Sequence, residues 1–159
     1  MRNVIELKNI NKVYGEQIKT QVLFDLDLAI PEGSFNSIIG QSGSGKSTLL
    51  NIVGTLDQPT SGEVYINGKR TDQMKKDELA ALRNETLGFI FQFHYLLPEF
   101  TALENVLMPY RIQYGTVPKE KLARAHELMD LVGLEKVKNN LASNMSGGQQ
   151  QRTAIARAL

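Results

Sequence analysis

The chain has 159 residues, and its 18 Lys and Arg against 17 Asp and Glu leave a formal net charge of +1. Hydrophobic residues make up 42% and charged residues 22%, the balance of a globular domain with a sizeable core, and so small a net charge argues against nucleic-acid binding through a bulk basic field. The lack of cysteine excludes a disulfide framework and any thiolate-held metal or iron–sulfur centre, and no run approaches the ~18 apolar residues of a membrane span.

Met1 to Ile10 is broken by Glu6 and Lys8, so it has no signal-peptide core. The expectation is a cytoplasmic chain whose membrane association, if any, comes through a partner. Val4, Ile5, Leu7 and Ile10 mark a first strand and Val22 to Ile30 a second, in which Val22, Phe24, Leu26 and Leu28 share a face at a period of two. Pro31-Glu32-Gly33 is a turn, and Phe35 to Ile39 is a short apolar strand that runs into a glycine-rich loop. From Ser47 the pattern turns helical through Leu49, Leu50 and Val53, with Gly54 as C-cap.

After a turn at Pro59 to Gly62, Val64 to Ile66 reads as a strand entering a tight hairpin at Asn67-Gly68, residues suited to positive φ. Asp77 to Glu85 reads as a helix, and Leu87 to Phe91 as a buried strand with Gln92 at its carboxyl end. Thr101 to Met108 and Lys119 to Val132 are helical in period, the second with Leu122, Ala125, Met129 and Val132 along one stripe. A last helix opens at Ser146 and is amphipathic from Gln149 to Leu159, with Ile155, Ala158 and Leu159 on one side. In an α/β unit such a helix returns to a parallel strand, which these 159 residues do not supply.

Gly40-Gln41-Ser42-Gly43-Ser44-Gly45-Lys46-Ser47 satisfies G-x-x-x-x-G-K-[ST] in full, between an expected strand and an expected helix. Glycines allow a backbone ring whose N–H groups point at phosphate oxygens, and the helix N-terminus adds favourable potential. Lys46 supplies a point charge to the β- and γ-phosphates, and the Ser47 hydroxyl can ligate Mg²⁺. The motif therefore marks a nucleotide-phosphate site. Ser146-Gly147-Gly148-Gln149 is a second helix start, with Ser146 as N-cap and two glycines that let a ligand approach the backbone. Its first turn has no acidic residue, so its positive end is free for an external anion. In isolation most Ser-Gly-Gly stretches are only loops.

Taken together, the phosphate loop, Gln92 after a strand, and Ser146-Gly147-Gly148-Gln149 leading into Gln150-Gln151-Arg152 resemble the ATPase subunit of ABC transporters, over essentially the whole chain. The stretches Gln92-Phe93-His94-Tyr95-Leu96-Leu97-Pro98 and Thr101-Ala102-Leu103-Glu104-Asn105-Val106 are similar to the lipoprotein-release and macrolide-export group. The resemblance implies an α/β P-loop NTPase core, here incomplete, with an antiparallel β subdomain and a helical subdomain. The corresponding divisions are residues 1–92 for the core with its β subdomain, 93–145 for the helical subdomain and 146–159 for the signature and returning helix.

The resemblance also implies the site. Tyr14 would stack on adenine, and Gly40, Gln41, Ser42, Gly43, Ser44, Gly45, Lys46, Ser47 and Thr48 would hold the phosphates of ATP. Gln92, with Ser47, would touch Mg²⁺, and Gln92 would sense the γ-phosphate. Lys46 and Gln92 are then the catalytic candidates. Ser146, Gly147, Gly148 and Gln149 would reach ATP held by a second ATP-binding subunit in a head-to-tail dimer. The other implied partner is a transmembrane permease subunit, received near Phe93 to Val106. That places the chain peripherally on the cytoplasmic face of the cell membrane, with no role for nucleic acid.

Departures from the family pattern bear on activity. Met145 stands where the family has leucine, a volume-conserving change. Asn36 and Ser37 occupy the expected phosphate-loop strand, where each buried polar group without a partner costs roughly 1–3 kcal/mol. The family's second nucleotide motif, an apolar strand ending in an Asp for Mg²⁺ and a Glu for the attacking water, is absent from the 159 residues, as is the downstream switch histidine. His94 and His126 do not replace that histidine and read as packed side chains. The expectation is therefore a chain that binds ATP but hydrolyses it only at background level, with an exposed apolar edge. Two other classes share these residues: a soluble ABC-type ATPase of DNA repair or translation, and a non-enzymatic nucleotide-binding fragment.

Overall fold

In the computed structural model, which describes residues 2–159, β1 (Asn3–Tyr14) and β2 (Thr20–Pro31) form a long antiparallel pair. Their register advances unevenly, with Leu7 opposite Leu28, Ile10 opposite Leu26 and Lys12 opposite Leu23. β1 thus carries one extra residue between Leu7 and Ile10, and β2 one between Leu23 and Leu26. Asn9 (φ 52°) and Asp25 (φ 42°) take left-handed conformations at these bulges. Short polar side chains complete them: the Asn9 N–H donates to Asp27 Oδ1 at 2.7 Å and the Asp25 N–H to Asn11 Oδ1 at 3.0 Å. Leu7, Ile10 and Leu23 are all buried as a result. Phe24 does not share the inner face expected from a period of two, because the bulge turns Leu23 inward and leaves Phe24 66% exposed.

β3 (Ser61–Ile66) pairs with the other edge of β1, and β4 (Lys69–Arg70) with β3, giving an antiparallel sheet of order β2-β1-β3-β4. The turn at Asn67-Gly68 forms as expected, with Asn67 at φ 49°. Asp72 fastens this hairpin: its Oδ1 accepts the Val64 N–H at 2.9 Å, while Arg70 spans Asp72 and Glu63 at 3.0 and 2.7 Å. α1 (Lys46–Val53) lays Leu49 and Ile52 against Leu7, Ile10, Leu23 and Val64, the first of two cores.

The chain divides into two compact units, residues 1–80 and 81–159, the division falling within α2 (Lys76–Thr86). In the second unit, α3 (Ala102–Tyr114), α4 (Lys119–Leu131) and α5 (Gly147–Ala158) surround Val106, Leu107, Leu128, Met129, Leu134 and Met145. Met145 is buried, as a volume-conserving replacement requires. Leu128 and not Leu122 fills the α4 face, and α5 buries Thr153, Ala154 and Ala156 while Leu159 stays exposed. Small residues on α5 permit a close approach to α3, which the longer side chains on the expected face would block. Among the described residues, no helix is long and apolar enough to cross a membrane.

Two expected strands do not form. Phe35–Ile39 and Leu87–Phe91 pair with no neighbour among the described residues. A strand inside a parallel sheet takes its hydrogen bonds from flanking strands, and without them these segments remain irregular. Phe35 is 99% and Ile39 88% exposed. Asn36 and Ser37 are exposed too, with Asn36 Nδ2 donating to Ser34 Oγ at 2.7 Å, so the burial penalty expected for them does not arise.

Phe24, Phe35 and Ile39 predict self-association that grows with concentration. Sedimentation measures it, and a single monomeric species with a sharp, reversible melt would count against it. Asp72→Ala is expected to cost about 1–3 kcal/mol in urea denaturation at neutral pH, since it strands the Val64 N–H. Burial pushes the Asp72 carboxyl up, but the Arg70 guanidinium and the Val64 N–H outweigh it and hold it below the ordinary 3.8. Its contribution is therefore full above 3.8 and lost as pH falls through the lower folded value.

Candidate functional site

The loop 40–47 enters α1 through Gly45, which has φ 86° and offers no side-chain cap. The first turn of α1 has no acidic residue. The Leu49 N–H is the first to find the helix ladder, donating to Gly45 O at 2.9 Å. The amides of Lys46, Ser47 and Thr48 therefore donate to no acceptor among the described residues. Lys46 folds back over its own loop, its Nζ donating to Gly40 O at 2.8 Å and Gln41 O at 2.6 Å. Ser47 is exposed. Free amides, the positive end of a helix and one ammonium converge at this point, and the combination suits a polyanion. Glycine at 45 is fixed twice over, by the left-handed φ and by packing, since a Cβ there would lie 2.9 Å from Leu23 Cδ2 and 3.1 Å from the Val22 carbonyl oxygen.

Tyr14 closes β1 in the same unit and is 40% exposed. Its hydroxyl donates to Asp57 Oδ2 at 2.7 Å. Lys12, buried two residues earlier, donates from Nζ to Asp57 Oδ1 at 2.7 Å and to Gln58 O at 2.6 Å, and lies 4.7 Å from the centre of the Tyr14 ring. Burial would raise the Asp57 carboxyl, but hydrogen bonds from Lys12, Tyr14 and the Gln58 N–H outweigh it and hold it below its ordinary value. Sequence reading missed this cluster. Its one local signal is the Lys12–Tyr14 spacing, which puts both side chains on the same strand face; Asp57 lies far away in the chain.

The remaining candidates belong to the second unit. Gln92 is exposed at a turn, and its side chain makes no hydrogen bond among the described residues. Ser146 caps α5 as expected, within a reciprocal box: Ser146 Oγ accepts the Gln149 N–H at 3.4 Å, and Gln149 Oε1 accepts the Ser146 N–H at 2.9 Å. Nothing lies within 4 Å of where a Cβ on Gly147 would be, leaving the helix start open to a ligand. Two further side chains organise the segment after Gln92. Arg157 donates to the carbonyls of His94 and Tyr95, both at 2.7 Å. Buried Asn105 accepts the Leu97 N–H at 2.7 Å and donates to the Leu97 and Thr101 carbonyls at 3.0 Å each. No cluster of three or more His, Cys, Asp or Glu able to hold a metal exists among the described residues.

Gly45→Ala is expected to cost at least about 1 kcal/mol more than Gly43→Ala. Gly43 also has positive φ, but its Cβ would meet nothing within 4 Å. Thermal or urea unfolding of the two variants checks the difference.

Residues 23–159 match the family model described as ABC transporter. The chain is 50% identical over 161 residues to the lipoprotein-releasing system ATP-binding protein LolD 1 of Rhodopseudomonas palustris, covering 100% of this chain and 71% of the relative. It is 49% identical to LolD of Bacteroides fragilis, covering 98% and 70%. The macrolide export ATP-binding/permease protein MacB of Mannheimia succiniciproducens is 50% identical, over 99% of this chain and 24% of that much longer protein. Among solved structures, the dimeric form of MJ0796, described as a bacterial ABC transporter cassette, superposes with a TM-score of 0.89 at 47% identity, over 98% of this chain and 68% of that one. A second dimeric MJ0796 structure, in a post-hydrolysis state bound to ADP and Pi, also gives 0.89, at 46% identity.

Proposed function

The chain belongs to the ABC transporter family as an ATP-binding subunit of the LolD and MacB type, and we propose that loop 40–48 grips the triphosphate of Mg-ATP. The observation that carries this reading is the start of α1, where three amides and the Lys46 ammonium face the loop with no carboxylate and no cap to compete. The amides of the loop and the first helical turn bind the β- and γ-phosphate oxygens. Lys46 exchanges its contacts with the Gly40 and Gln41 carbonyls for phosphate oxygens. The exposed Ser47 hydroxyl fits a magnesium ligand, and the ion when bound supplies positive charge across the phosphates. Tyr14 receives the adenine. Gln92 serves the metal and the γ-phosphate.

Ser146, Gly147, Gly148 and Gln149 are proposed to act on nucleotide held by a second ATP-binding subunit. Support comes from the open backbone at Gly147 and from the dimeric state of the structural relative. The partner that receives the work is a transmembrane permease, which holds the chain at the cytoplasmic face of the membrane. The names of the relatives favour this partner over DNA repair or translation.

Equilibrium titration with Mg-ATP should saturate for the wild-type chain and weaken at least about tenfold for Lys46→Ala. Equal affinity in the two proteins would overturn the assignment of the loop.

A further inference from the structure

Tyr14 is an aromatic ring at the surface whose position is nevertheless fixed. A phenol that is 40% exposed can satisfy its hydroxyl with water, and a tyrosine free to rotate would have to be ordered by whatever binds it. Here the hydroxyl is tied to Asp57 Oδ2 at 2.7 Å. The same carboxylate is tied through Oδ1 to the Lys12 ammonium at 2.7 Å. That ammonium is itself buried and satisfied by Asp57, by Gln58 O at 2.6 Å and by the face of the Tyr14 ring at 4.7 Å. One face of the ring is therefore occupied by a cation, the rim is pinned by a carboxylate, and the ring keeps only its opposite face for a planar ligand.

We propose that Asp57 and Lys12 are positioning residues for nucleotide recognition: they pre-set the Tyr14 ring so that a purine base stacks on the face away from Lys12. The proposal rests on the reading of Tyr14 as the adenine-stacking residue and adds the groups that aim it. Lys12 does not need Tyr14 to be paired, because Asp57 and Gln58 O already satisfy it. The link from carboxylate to phenol is thus an addition to a complete ion pair, and its effect falls on the ring. Neither positioning side chain touches phosphate, so the contribution belongs to the base alone.

That separation is measurable by calorimetric titration of the full chain with Mg-ATP and, in parallel, with magnesium tripolyphosphate, which has no base. Tyr14→Phe removes only the hydroxyl and keeps the Lys12–Asp57 pair, so it leaves no buried charge unpaired. It should weaken Mg-ATP by about two- to tenfold and leave tripolyphosphate unchanged. Asp57→Asn also removes the counter-charge of buried Lys12, so it should weaken Mg-ATP at least as much as Tyr14→Phe, and the double variant should be no weaker than the more affected single one. If Tyr14→Phe binds Mg-ATP like the wild type while Tyr14→Ala is weakened, the ring stacks without an anchor: the proposal falls and the stacking reading stands. If Tyr14→Ala also matches the wild type, the stacking reading falls and takes the proposal with it. Equal weakening toward ATP and tripolyphosphate in Tyr14→Phe would show a purely structural role and overturn the proposal.

Discussion

A backbone amide can hold a phosphate oxygen only if the folded chain leaves that amide without a partner. At the start of α1 the chain does so for three successive residues, and the cost of unpaired donors has to be met by anchoring on every side. Leu49 and Ile52 fix the helix to the sheet. Lys46 ties the ends of the loop together through the Gly40 and Gln41 carbonyls. Gly45 is wedged against Val22 and Leu23 of β2. Leu23 is available for that contact only because the bulge at Asp25 turns it inward, so the geometry of the loop traces back to a register defect stabilised by Asn11.

The starts of α1 and α5 solve the same problem in opposite ways. α1 begins at a glycine and offers its first turn uncapped, with the Lys46 ammonium folded back onto the loop. α5 closes its own first turn with the Ser146–Gln149 box and keeps only a bare backbone surface at Gly147. The first arrangement can surround a ligand, whereas the second can only touch one presented to it. That contrast agrees with the roles proposed for them, one as the grip on the nucleotide and the other as a contact from outside.

The features legible in the sequence were those decided within a few residues. The Asn67-Gly68 hairpin, the glycine-rich turn into α1, the Ser146 cap and the helical segments all carry their reason locally. Features decided across the chain were not legible. Phe24 faces out because two bulges, one on each strand, must match each other. Phe35–Ile39 and Leu87–Phe91 have the composition of strands, yet a strand needs neighbours and none of the described residues serves. Lys12 and Asp57 lie 45 positions apart, and no local pattern joins them. Asn36 and Ser37 looked costly on the assumption of burial, and they are exposed.

Asn105 joins its own helix to the backbone of Leu97, accepting from its N–H and donating to its carbonyl. A single side chain thereby does the work of a paired strand and measures a span of eight residues. The consequence is one of spacing. The exposed Pro98 and Glu99 are free of the core, whereas Thr101 caps α3 and Ala102 is buried, so within this span only the first side chains can be exchanged while the length is kept. A deletion or insertion there would pull Leu97 out of reach of the amide. The segment is therefore open to drift in composition at its exposed start and closed to drift in size throughout.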